Sequence, residues 1–234
     1  MRRDAGASSR SGATRSRRSS GALGKVGLIL GSGAAGLDVP GVVAIDRHGE
    51  RGYQLPHLID HGANLRRLAD AGCDRVLGVA SVGSLRPELV PGTLVCPDDF
   101  IALDVGPLTT LSGREAHRVP GFDPDWRARV IAALRAHAEV RDGGVYWQVA
   151  GPRLETRAEV RFAAAHAEVI GMTVASECVI AGELGLAYAA ICMVDNYANG
   201  VAETELTLEE VEAGQREHRA ALEQALALAV PGLV

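Results

Sequence analysis

Residues 151–200 read GPRLETRAEV RFAAAHAEVI GMTVASECVI AGELGLAYAA ICMVDNYANG, and their reading decides the fold. Three short polar clusters interrupt an apolar, Ala-rich background, each where a strand-like run stops or a helix-like run starts. The first is Gly151-Pro152-Arg153-Leu154-Glu155-Thr156, a Gly-Pro turn feeding a helical pattern that begins near Thr156. The second is Met172-Thr173, with Glu177 five residues beyond Met172, and the third is Asp195-Asn196 after the apolar run 187–194. Continuous apolar runs of this kind mark strands buried on both faces. Sheets built from them bind ligands in the crevice beyond the carboxyl ends of the strands. All three clusters are therefore expected along one rim of a sheet.

The same alternation extends towards both ends of the chain. Short apolar runs at 25–30, 42–46, 75–80, 93–96, 145–150 and 168–171 predict further strands. Amphipathic spacing predicts helices over 60–71, 124–139, 157–167, 177–185 and 208–229, the first capped near Asp60 and stopped by Gly72. Pro97-Asp98-Asp99 reads as a turn. Residues 102–122 are polar and punctuated by Gly and Pro, an excursion suited to covering a site or touching another subunit. The expected fold class is α/β: one domain over 25–234, with a mostly parallel mixed sheet flanked by helices. Residues 1–24 are Arg, Ser, Gly and Ala with scarcely an apolar side chain, too little to offset ordering entropy, so disorder is expected there.

Composition excludes several classes. A chain of 234 residues with a formal charge of −5 does not advertise nucleic acid. The four cysteines, Cys73, Cys96, Cys178 and Cys192, lie far apart without a C-x-x-C pair and read as buried thiols in a reducing compartment. No run approaches the ~20 apolar residues that span a bilayer, and the N-terminus lacks the hydrophobic segment of a secretory signal. A cytoplasmic protein without membrane or nucleic-acid partners is expected.

Four smaller motifs carry possible chemistry. Gly31-Ser32-Gly33-Ala34-Ala35-Gly36 spells G-x-G-x-x-G, but a dinucleotide site requires a helix at once, and Pro40-Gly41 breaks one. What remains is a glycine turn with one hydroxyl, Ser32, and backbone N–H groups able to hold an anion. Arg47-His48-Gly49 sets a guanidinium beside an imidazole after a strand, which suits an oxyanion. Residues 57–61 read HLIDH; a zinc protease needs Glu directly after the first His, and Leu58 stands there, so no metal site is expected. Ser81-Val82-Gly83-Ser84 is again a small-residue turn with a hydroxyl after an apolar run.

Taken in order, GSG, RHG, Pro56-His57 with Ile59 and Ala63-Asn64, GSL, a Pro91-Gly92 turn, GPRLETRAE, IGM-T and a final Asp-Asn resemble the trimeric purine nucleoside phosphorylases, which include the 5'-methylthioadenosine phosphorylases. The resemblance spans roughly residues 25–215. It implies reversible phosphorolysis, in which phosphate attacks C1' of a purine nucleoside without metal or organic cofactor, phosphate being a co-substrate. It implies a homotrimer with sites near subunit boundaries. Carried over by motif, Ser32, Arg47, His48 and Thr173, with the backbone around Ala80 and Ser81, bind phosphate. Met172 floors the ribose, and Glu155 and Asn196 read the base, with His57 beside the nucleoside. Asn196, His48 and Glu155 form the implied catalytic set. Preorganised donors aimed at developing charge are the main lever on such a reaction.

Adenine-specific relatives in this resemblance carry Asp at 196 and 198 and a small hydroxyl residue at 155; here Asn196, Ala198 and Glu155 stand there. A neutral amide donates to O6 of a 6-oxopurine, so inosine, guanosine or 5'-methylthioinosine is the expected substrate. The alternatives are 5'-methylthioadenosine phosphorolysis, a purine binder without turnover, and a nucleotide-cofactor oxidoreductase built on Gly31 to Gly36. The chain departs from the family pattern in four places. The segment between Gly33 and Arg47 is short, Gly52 replaces a His, Asp60-His61 replaces Asn-Tyr, and Ala80 replaces a hydroxyl residue, which removes one phosphate contact.

Overall fold

The computed structural model describes residues 24–49, 52–103, 105–106 and 108–234. In chain order these form β1 (Lys25–Leu30), β2 (Val43–Asp46), α1 (His61–Asp70), β3 (Cys73–Ser84), β4 (Leu94–Cys96), β5 (Asp99–Ile101), α2 (Pro124–Arg135), β6 (Val140–Asp142), β7 (Val145–Gln148), α3 (Arg157–Ala164), β8 (Val169–Gly171), α4 (Val174–Glu183), β9 (Ala187–Tyr197) and α5 (Leu208–Ala229). The tail expected to be disordered lies, apart from Gly24, outside the described residues. Among the described residues no helix is long and apolar enough to cross a membrane.

One mixed sheet holds these strands, in the order β5-β7-β8-β3-β9-β4-β6, with β1 beside β3 and β2 beside β1. Six pairings are parallel; β3 with β8 and β4 with β9 are antiparallel. The long parallel pair β3 and β9 forms the spine, because alternate side chains of both strands are buried on both faces. On one face Leu77, Val79, Ile191 and Met193 pack against Trp126 and Leu134 of α2 and Leu222 and Leu226 of α5. On the other, Val76, Val82, Ala190 and Val194 pack against Leu65 and Leu68 of α1 and Val174 and Cys178 of α4. Burying a side chain such as Leu226, which is fully covered, contributes about 1.5–3 kcal/mol.

Sequence periodicity and structure part company where tertiary pairing decides. Asp99, expected in a turn, opens β5 because it pairs with Val145. Residues 136–139 leave α2, whose last turn is closed by bonds to the Leu134 carbonyl, so that Val140 can enter the core in β6. α3 ends at Ala164 and not at 167. α4 starts three residues earlier than its apolar pattern suggested, with Thr173 as its N-cap residue. The strands β3 and β9 both overrun their expected ends, since Gly83 and Ser84 are still paired with Asn196 and Tyr197.

Candidate active site

A gap in the sheet makes the site. On one edge β3 is paired with β1 only as far as Val79, and with β8 only from Gly83 onward. Between them residues 80–82 have β9 on one side and, among the described residues, no strand on the other. The ends of β1 and β2 arrive at this gap from one direction, and β8, antiparallel to β3, brings its own carboxyl end from the other. The rim expected from an all-parallel arrangement is therefore two rims meeting beside β3.

A cleft of about 650 Å³ opens there, lined by Ser32, Arg47, His48, Ser81, Glu155, Met172, Thr173 and Asn196. Eight sequence-predicted residues from six separate segments thus converge. Ala80 is buried and borders a water-sized niche behind the cleft wall. His57 is exposed on the single 3-10 turn Pro56–Leu58 and does not line the cleft; Tyr53, Leu55 and Pro56 of that segment do. A 3-10 turn presents consecutive side chains in different directions, and of this one Pro56, not His57, is turned inward.

Arg47 is 2% exposed, and its guanidinium is held from three sides. Nε donates to Glu177 Oε1 at 2.5 Å, Nη2 to Glu177 Oε2 at 3.1 Å and Nη1 to the Val79 carbonyl at 2.8 Å. A guanidinium has five N–H groups, so these bonds leave donors for an anion in the cleft. The pair survives burial because it is bidentate. Burial opposes the charge on Arg47, but Glu177 outweighs it and holds the group above its ordinary value. Burial likewise works against the Glu177 carboxylate, and Arg47 with His61 beside it keeps that carboxyl well below the ordinary range. The Tyr188 hydroxyl, kept protonated by burial, donates to Glu177 Oε2 at 2.6 Å. Gly31 is required by this packing: a methyl group there would collide with Arg47 Nη1 and approach the Val79 carbonyl to 2.8 Å.

Ser32 sits on a 3-10 turn, Ser32–Ala34, in place of the helix a dinucleotide site needs. The His48 ring stacks on Tyr53 with centroids 4.5 Å apart, and its Nδ1 lies 2.8 Å from the Gln54 carbonyl. Since a carbonyl only accepts, Nδ1 carries the proton and Nε2 is the basic nitrogen when the ring is neutral. Burial lowers the His48 pKa from 6.5. Thr173 is buried and makes no side-chain cap bond to its own helix. Its backbone N–H is bound by Tyr146 Oη at 3.2 Å, and the N–H of Ser176 by Gln148 Oε1 at 3.1 Å. Helix α4 therefore offers an anion its dipole and the Thr173 hydroxyl rather than these two N–H groups.

At the other end of the cleft the lining changes character. Glu155 is buried, and the loop after β9 is fixed to it by Asn199 Nδ2 donating to the Glu155 carbonyl at 2.9 Å. The register between β3 and β9 skips Asp195, pairing Val82 with Val194 and Gly83 with Asn196. This bulge re-aims the residues after it and places Asn196 and Ala198 on the cleft wall. Ile170, Leu206, Leu208 and Val211 complete an apolar wall there.

Sequence reasoning missed helix α5 as part of the site. Leu208, Val211, Glu212 and Gln215 line the cleft at helical spacing. A polar Gln continuing an apolar i, i+3, i+7 stripe was the available signal. It also left Glu177 without a role, although a lone acid in an apolar helix stretch implies a buried partner.

These features agree with what the chain is similar to. It belongs to the phosphorylase superfamily, matching that family over residues 39–230. An Archaeoglobus fulgidus protein named "Probable 6-oxopurine nucleoside phosphorylase" is 40% identical over 186 residues, covering 76% of each chain. A Methanothermobacter thermautotrophicus protein named "Probable S-methyl-5'-thioinosine phosphorylase" is 36% identical over 171 residues, 73% of this chain and 61% of its own. The fold matches methylthioadenosine phosphorylase from Schistosoma mansoni in complex with adenine, with a TM-score of 0.75 at 24% identity over 88% of this chain and 91% of that one. The family implied by the motif order, and the single mixed sheet flanked by helices, are both found.

Proposed function

We propose that the chain catalyses phosphorolysis of 6-oxopurine nucleosides, with 5'-methylthioinosine favoured over inosine or guanosine. One observation carries this reading: a single cleft has the Arg47, Ser32, Ser81 and Thr173 donors at one end and Glu155 with Asn196 at the other. In the reaction a phosphate oxygen bonds to C1' as the C1'–N9 bond breaks. The bond's electrons pass to the purine, which takes up a proton at N7 from water as it leaves; the sugar leaves as a (5-substituted) ribose 1-phosphate dianion, and the proton that hydrogen phosphate gives up in forming the ester balances the one gained by the base. Arg47, Ser32, Ser81, Thr173 and the unpaired edge at residues 80–82 hold the dianion, and His48 takes up or returns a proton at Nε2. Met172 lies against the ribose and excludes water. Asn196 donates to O6 and accepts from N7–H, while Glu155 binds N1–H. The residues in hand call for no metal or organic cofactor.

The preference for a methylthio group rests on the wall made by Leu206, Leu208 and Val211 with Tyr53 and Leu55 at the mouth. A methylthio group beside these aliphatic side chains buries apolar surface that a 5'-hydroxyl does not offer. The names carried by the two similar archaeal proteins support both halves of the assignment. We further propose a cytoplasmic homotrimer. An apolar trough of about 590 Å³ lined by Leu103, Trp147 and Phe162 shares Glu155 and Ile170 with the cleft, which suits a subunit boundary beside the site.

The test is to incubate the protein with 5'-methylthioinosine, inosine, guanosine and adenosine, with and without phosphate, and to identify the released base. Phosphate-dependent release of hypoxanthine, fastest from 5'-methylthioinosine, is expected. Faster release of adenine would defeat the base assignment, and tight base binding without product would make the chain a binder.

A further inference from the structure

Gln215 occupies a position that the reading above does not use. Its Nε2 lies 3.0 Å from Ser32 Oγ and 3.1 Å from Ser81 Oγ, bridging two hydroxyls more than 130 residues away in sequence. It reaches both because α5 lies unusually close to β9: a methyl group at Gly214 would collide with the Asp195 carbonyl oxygen. The next turn of the helix holds the glycine turn from behind, with Arg219 Nη2 donating to the Ala35 carbonyl at 2.9 Å. Behind Ser81 stands Asp195, 5% exposed, with His218 Nδ1 3.2 Å from its Oδ1.

The direction of these bonds matters. An amide nitrogen has two hydrogens and no lone pair to offer, so both hydroxyls accept from Gln215. A serine that accepts from one side turns its own hydrogen elsewhere: the Ser81 hydroxyl turns to the Asp195 carboxylate behind it, and for Ser32 the open side is the cleft. Hydrogen phosphate dianion presents three acceptor-only oxygens and binds such a pre-turned hydroxyl without a reorganisation step.

We propose that Gln215 is a positioning residue for the phosphate cradle, its amide nitrogen anchored on Ser81 Oγ and fixing the hydroxyl hydrogen of Ser32 toward the anion. The inference rests on the proposed placement of phosphate at Ser32 and Ser81, and the test separates the two. Phosphate KM, nucleoside KM and thermal midpoint are measured for Gln215→Leu, Gln215→Glu, Ser32→Ala/Ser81→Ala, and the last combined with Gln215→Leu. Gln215→Leu is expected to raise phosphate KM about tenfold, the effect of one charge-assisted bond, with nucleoside KM within twofold and an unchanged midpoint. Gln215→Glu, whose carboxylate would draw the Ser32 hydrogen to itself, should raise phosphate KM further. In the Ser32→Ala/Ser81→Ala background the leucine substitution should add less than twofold, because its targets are gone.

If Ser32→Ala/Ser81→Ala raises phosphate KM but the Gln215 variants do not, the positioning role is wrong and the site reading stands. An undiminished effect of Gln215→Leu in the alanine background would overturn the role as well, by showing that it does not act through the hydroxyls. If the two alanines leave phosphate KM unchanged, the anion site is elsewhere and both fail.

Discussion

The proposed anion end of the cleft is built from side chains gripped by partners inside the protein, whereas the proposed nucleoside end is a mostly apolar wall that carries a few polar side chains. Arg47 is gripped by Glu177 and Val79, and Ser32 and Ser81 are bridged by Gln215. At the far end Met172, Ile170, Leu208 and Val211 offer shape, with Glu155 and Asn196 as the chemical readers. One helix spans both regimes, since α5 runs from Leu208 to Gln215 along the cleft. The difference follows from the ligands proposed. A dianion is recognised by fixed donors in a low-dielectric setting, and a nucleoside by burial plus a few bonds that reject the wrong base.

The sharpest way to break this contrast is to remove the buried acid behind Arg47. Glu177→Leu leaves a guanidinium unpaired in the core and should cost about 3–5 kcal/mol, lowering the thermal midpoint by about 6–20 °C, with phosphate KM rising steeply. A midpoint within 2 °C of wild type, roughly half a kilocalorie, would show that the pair does not anchor this end. Acid titration gives a second view. The Glu177 carboxyl is held below its ordinary value of 4.5 in the folded chain, so the folded state binds that proton more weakly than the unfolded one. Its contribution to stability is complete above about pH 4.5 and is lost as pH falls towards about 2. Denaturation curves across that window should flatten in Glu177→Gln.

Smaller changes sharpen the contrast. Asn196→Asp should shift the ratio of kcat/KM for inosine over adenosine by ten- to a hundredfold towards adenosine, about 1.4–2.7 kcal/mol, while phosphate KM holds. An unmoved ratio would remove Asn196 from base reading. Leu208→Ser should lower kcat/KM for 5'-methylthioinosine about fivefold relative to inosine, the loss of roughly 1 kcal/mol of apolar contact. Equal losses on both substrates would mean that the 5' group sits elsewhere. The smallest effect is spectroscopic: the His48 imidazole should titrate below 6.5, as its burial requires, and an NMR midpoint above that value would contradict the stacked, half-buried ring.

Much of this was legible in the sequence because α/β strands are apolar throughout and end in punctuation. Lys25–Leu30 and Leu208–Ala229 match the pattern residue for residue. Ser32, Arg47 and Thr173 were legible because each follows a strand, and Asn196 because it follows the apolar run within β9. The short strands β5 and β6 were not, since three residues carry no period and their pairing partners lie 46 positions away at Asp99 and Val145 and at Leu94 and Val140. Nor was the bulge at Asp195, which depends on register between two chain segments over a hundred residues apart. The roles of Glu177 and Gln215 were not legible for the same reason: their meaning lies in Arg47, Ser32 and Ser81, none of which is local.

The interruption beside β3 has an evolutionary corollary. Main-chain amides exposed by a missing neighbour belong to topology rather than to any codon, so they persist through substitutions that would erase a side-chain ligand. With Ala80 standing where the resemblance implies a hydroxyl residue, the proposed anion site would keep this main-chain share of its coordination, which leaves the rest of the pocket room to be retuned for a different sugar or base.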